Sequence, residues 1–217
     1  MKRQLATFAA AGLVVAATLA PASAKSKGSA GGNAVTEVDV RTCLGVTGGG
    51  PEEQITACTK LINSGKIHKG KESDFYASRG AAYYGAGKLE PAEADFTTAI
   101  NQEKKPQFLF QRAMVLMAQS KVAKARADFD QVVALSPDFA PVYLMRGLVS
   151  YQDGDYKAAL TDFTAATQRK QMYYQAIFAR GAAKLRLGDD SGNDDLKEAR
   201  GLSGHVDDEL QALGVVP

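Results

Sequence analysis

An Arg followed by a small residue returns along this chain at Arg79-Gly80, Arg112-Ala113, Arg146-Gly147 and Arg180-Gly181, at intervals of 33, 34 and 34 residues. A second pair keeps step with it: Asp95-Phe96, Asp128-Phe129, Asp162-Phe163 and, less faithfully, Asp195-Leu196. No other feature constrains the fold as strongly. A unit of this size is too small to bury its own apolar face and must stack on its neighbours, so the period predicts a solenoid. Such an architecture points to a binding scaffold and does not name the partner.

Each unit divides in the same way. In the first, the pattern predicts helix A over 74–86, a break at Gly87, and helix B over 90–101. Gly154 and Gly188 fall at the point of Gly87, and Ser120 substitutes in the second unit. Pro106, Pro137 and Pro141 lie between units, where proline ends one helix or opens the next.

With the register set, the residues resemble the tetratricopeptide repeat family, whose pattern runs aromatic, Leu-Gly, Tyr, then Ala-x3-Phe and a Pro. The first unit is similar through Tyr76, Gly80, Tyr83, Ala92 and Phe96; the second through Ala125, Phe129 and Pro137; the third through Tyr143, Gly147, Ala159 and Phe163. The fourth keeps Gly181 and Ala199, has Gly192 and Leu196 where Ala and Phe are expected, and is one residue shorter. The fold expected from the resemblance is all-α, a right-handed superhelical solenoid of antiparallel helix pairs. The small residues then let helices A and B cross closely, and the Phe series fills the space between successive pairs.

The chain departs from the family by placing Arg79, Arg112, Arg146 and Arg180 where Leu is usual, with Asp95, Asp128, Asp162 and Asp195 following 16, 16, 16 and 15 residues later. Constant separation predicts one Arg-Asp pair per unit between helices A and B. An Arg ladder binding an acidic or phosphorylated partner is the competing reading. The matched Asp series argues against it by neutralising such a ladder.

Residues 1–24 read as a cleaved secretory signal peptide: Lys2 and Arg3, an apolar run, then Ala22-Ser23-Ala24 before Lys25. An uncleaved membrane anchor is the alternative. The expected location is periplasmic or secreted, with no membrane span in the mature chain. Without Lys2 and Arg3 the 26 basic residues become 24, matching 24 acidic ones, and this neutrality argues against a nucleic-acid partner. Residues 25–34 form a Gly-rich flexible leader, 35–72 a degenerate helical pair, and 73–202 four repeats (73–105, 106–139, 140–173 and 174–202). Residues 203–217 cap the stack with a short helix.

Cys43 and Cys58 are 15 residues apart, close to the Gly80 to Phe96 separation of 16. If the first pair is a decayed unit, they sit where its helices cross, and in an oxidising compartment a structural disulfide would replace the lost packing. The spacing lacks the Cys-x-x-Cys of a redox centre. His68 and His205 make no ligand motif, so neither metal nor cofactor is expected.

The resemblance implies that helix A of each unit lines a concave groove for a peptide or a partner's helix. The register carries this onto Ala77, Ala81 and Tyr84 in the first repeat, and Phe110, Met114 and Met117 in the second repeat. Leu144, Leu148 and Tyr151 follow in the third, with Met145 at the edge, and Phe178, Ala182 and Leu185 in the fourth. Each trio has the spacing of one helical face. Core packing and groove lining both remain open for these rows, although a second apolar row on each helix A, such as Tyr76, Gly80 and Tyr83, is available to meet helix B.

Enzyme chemistry finds little support. No Ser-His-Asp or Cys-His combination stands out, Gly48-Gly49-Gly50 lacks the Gly-Lys-Ser/Thr ending of a phosphate cradle, and the acidic run 189–195 has its Gly out of register for a calcium loop. The leading expectation is a non-enzymatic adaptor that holds an apolar peptide or helix of an envelope protein. A self-associating structural module is the second hypothesis, and an enzyme subunit the third.

Overall fold

The computed structural model describes residues 35–65 and 71–217; the signal peptide and leader expected at 1–34, and His68, lie outside the described residues. All regular structure among the described residues is α-helical. The chain divides into two compact units, with the boundary between Val115 and Leu116. The first unit contains α1 (Glu37–Cys43), α2 (Pro51–Ser64), α3 (Glu72–Gly85), α4 (Leu89–Gln102) and most of α5 (Pro106–Ala118). The second contains α6 (Val122–Leu135), α7 (Ala140–Gln152), α8 (Tyr156–Arg169), α9 (Tyr174–Arg186), α10 (Gly192–Leu202) and α11 (Val206–Ala212).

Helix ends fall where backbone chemistry puts them. Thr36 and Asp39 form a reciprocal capping box at the start of α1, and Pro51 opens α2, where its missing N–H costs nothing. Between α3 and α4, Gly87 takes φ +72°, and the Gly87 and Lys88 amides donate to the carbonyls of Tyr84 and Tyr83 at 3.0 and 2.8 Å. This closure satisfies carbonyls that the helix end would leave orphaned. Gly154 closes α7 in the same way. Ser120 makes the equivalent turn before α6 at φ 60°, a left-handed conformation that glycine adopts more readily.

Close approach of the paired helices explains the recurring small residues. A Cβ on Gly80 would stand 3.3 Å from Phe96 and from the Ala92 carbonyl, and one on Gly147 would stand 2.6 Å from Phe163. In the last pair Gly192, where the family pattern has Ala, faces Gly181 so closely that a Cβ on Gly181 would lie 2.7 Å from its carbonyl oxygen. The departure at Gly192 is thus matched by a tighter crossing of α9 and α10. Phe96 in the first unit and Phe129 and Phe163 in the second are essentially inaccessible, at 1%, 0% and 0% exposure.

Candidate protein-binding surface

The repeated arginines act within this frame as three-way ties. Arg79 on α3 donates through Nε and Nη2 to the Asp95 carboxylate on α4 at 2.7 and 2.9 Å, while its Nη1 donates to Thr59 Oγ1 on α2 at 3.2 Å. Arg146 on α7 grips Asp162 on α8 at 2.9 and 2.7 Å and reaches Asp130 on α6 at 2.8 Å. Arg180 on α9 grips Asp195 on α10 at 2.8 and 2.7 Å and reaches Thr167 on α8 at 3.0 Å. Each guanidinium therefore joins its own helix B to the helix B before it. Arg112 on α5 likewise donates back to Thr97 on α4 at 3.2 Å, and Asp128 on α6 is buried.

The planar fork of Arg matches a carboxylate with two parallel bonds, which an ammonium cannot do. Asp95, Asp162 and Asp195 have side chains only 8–9% exposed, so these pairs face the interior. Burial pushes the Asp195 carboxyl up, but the hydrogen bonds and charges of Arg180 and Lys184 outweigh it and hold the group below its ordinary value. Tyrosines flank the cations: the Arg79 guanidinium carbon lies 5.6 and 5.8 Å from the Tyr76 and Tyr83 ring centroids.

The groove row expected on the A helices differs between the two units. In the first, Tyr84, Phe110 and Met114 are half-buried, and Tyr84 packs against the cluster of Ala77, Ala92, Phe96, Ala99, Phe108 and Val115. In the second, Met117, Leu144, Met145, Leu148, Tyr151 and Phe178 are at most 4% exposed, and only Leu185 is half-buried. Part of the cover comes from the end of the chain. Helix α11 meets α9 through Glu209, which accepts from Tyr174 Oη at 3.1 Å, and is fastened to α10 by Arg200 and Asp207.

The residues after α11 then run against α7. Gln152 Nε2 donates to the Leu213 carbonyl at 2.8 Å, and Tyr151 Oη donates to the Val216 carbonyl at 2.6 Å. Arg186 Nε donates in turn to Tyr151 Oη at 3.3 Å, which aims that hydroxyl. Burial raises the Tyr151 pKa, keeping it a donor, while the Arg186 hydrogen bond opposes the shift. Gln152 and Arg186 did not stand out in the sequence, and residues 213–217 were expected only as part of the capping helix, which the structure ends at Ala212. They come together across separations of 35 to 65 residues, which leave no periodic trace.

At the other end, Cys43 and Cys58 form a disulfide with sulfurs 2.07 Å apart, joining α1 to α2. Both cysteines are fully buried in a cluster that includes Ala57, Leu61 and Phe75, the last from α3. Among the described residues no His, Cys, Asp or Glu group is arranged to hold a metal ion, and no helix is long and apolar enough to cross a membrane.

Hairpins with small residues at the A–B crossing, an aromatic on helix B and a further helix after the last pair define a helical-repeat scaffold of the kind used for protein–protein interaction. The tetratricopeptide repeat family model matches residues 78–138 and again 110–174. Solved structures agree on the fold. MamA from Desulfovibrio magneticus RS-1 is 16% identical with a TM-score of 0.66, covering 79% of this chain and 98% of that one. A tetratricopeptide repeat protein from Parabacteroides merdae is 16% identical at TM-score 0.68, over 82% of this chain and 73% of its own. YrrB, described as a TPR protein with an unusual peptide-binding site, is 16% identical at TM-score 0.60, over 75% and 82%.

Proposed function

We propose that this chain is an exported tetratricopeptide scaffold that holds an apolar segment of another envelope protein against the A-helix row of its first unit. The observation carrying this reading is the half-buried row of Tyr84, Phe110 and Met114, three large side chains that the core of their own unit does not fully use. Partly exposed aromatic and Met side chains suit an adaptable apolar contact. The presence of a peptide-binding site in YrrB, which has the same fold, adds support by analogy. Export is supported by the signal-like residues 1–24, and a buried disulfide suits an oxidising compartment.

Affinity capture from an envelope extract tests the reading, comparing wild type with a Tyr84→Ala, Phe110→Ala, Met114→Ala variant whose helical content and melting are measured alongside. Loss of specific partners from a folded variant is the expected result. Equal recovery of the same partners would remove the row from the interface. The intact mass of the protein recovered from its native host should correspond to a chain beginning at Lys25 with two fewer hydrogens than the dithiol form.

A further inference from the structure

The A-helix face of the second unit already has an occupant. Residues 213–217 follow α11 without regular secondary structure, and Gly214 turns them at φ +77°. Leu213 and Val215 are 8% and 1% exposed, while Val216 and Pro217 are exposed, so two aliphatic side chains two positions apart face inward. Two carbonyls of this segment, those of Leu213 and Val216, are taken by Gln152 and Tyr151 at the end of α7. Aliphatic side chains turned inward and backbone carbonyls received by aimed side-chain donors are how a scaffold holds a peptide. A shallow hollow of about 210 Å³ lies beside the segment, lined by Phe178, Arg200, Asp207, Val215, Val216 and Pro217.

We infer that residues 213–217 are a tethered ligand that gates this face, and that the partner it excludes is a non-helical protein segment of the same chemistry. Such a segment carries aliphatic side chains at alternate positions and offers carbonyls to Tyr151 and Gln152. The inference extends the protein-binding reading above to a second face. The contact is small enough to exchange: two hydrogen bonds and two inward side chains. Its strength comes from the tether, which holds the segment at a high effective concentration and weakens any competitor by the same factor.

The test uses a fluorescent peptide with the sequence of residues 212–217, titrated by anisotropy into the full chain, a chain ending at Ala212, and a full chain carrying Val215→Asp. The two altered chains should bind the peptide about tenfold or more tightly than wild type, and Tyr151→Phe added to either should abolish the gain. Binding equal to wild type in a folded altered chain, or none at all, overturns the inference. Loss of the fold in both altered chains also overturns it, because the segment is then part of the core. Capture of partners through Phe110 and Met114 reads the first unit, so either result can fail without the other.

Discussion

Adding one methyl group at the crossing of α7 and α8 separates the cost of close helix approach from the intrinsic preference of the helix. In Gly147→Ala the new Cβ would lie 2.6 and 2.7 Å from Phe163 Cε1 and Cδ1 and 3.2 Å from Asp162 Cβ. Carbon atoms prefer about 3.5–4.0 Å, so the neighbours must open by about 1 Å. They have little room to do so: Phe163 is 0% exposed, and Asp162 is held by two bonds from Arg146. Overpacking of this kind costs about 1–3 kcal/mol, and Ala regains about 1 kcal/mol of helix preference over Gly, leaving a net loss of about 1 kcal/mol and up to about 2. For a chain of this size that lowers the melting temperature by about 2–8 °C.

Two further glycines calibrate the effect. At Gly80 the nearest contacts are 3.3 Å, so Gly80→Ala should be close to neutral; Gly201 on α10 has nothing within 4 Å, so Gly201→Ala should stabilise. Chemical denaturation followed by circular dichroism would rank the three. Gly147→Ala as stable as wild type, or all three alike, would refute the argument that this contact selects for glycine.

Reduction of the Cys43–Cys58 bond, which spans 15 residues, should destabilise the first unit by about 3 kcal/mol. Helix α1 is only seven residues long and has little stability of its own, so hydrogen exchange in 37–43 should rise with added reductant; unchanged exchange would mean that packing alone holds it. Asp195 should make the second unit acid-sensitive. Its folded pKa is depressed, so its contribution is fully present above the unfolded value near about 4 and is lost as pH falls through the lower folded value. Asp195→Asn should therefore cost stability at neutral pH and flatten the decline below about pH 4; parallel profiles for the two chains would show that the Arg180–Lys184–Asp195 cluster is not the titrating element.

How much of this protein could be read from its residues depends on the range of the interaction. Turn glycines, prolines and the alternation of helices A and B act over a few residues, so they are legible one position at a time and their repetition sets the register. The Arg-Asp separation was legible for a related reason, since both residues belong to one hairpin of nearly constant length. The third contact of each arginine was not. Thr59, Asp130 and Thr167 precede their arginines by 20, 16 and 13 residues, because the preceding helix offers its partner from different positions along its length and across links of unequal length. The sequence placed Tyr84 and Tyr151 in equivalent positions on helix A, but only tertiary structure left one half-buried and set the other beneath residues 213–217. Exposure is decided by which segments return to cover a surface, and a return over 65 residues is selected by packing and chain entropy together, with no signature in the local pattern.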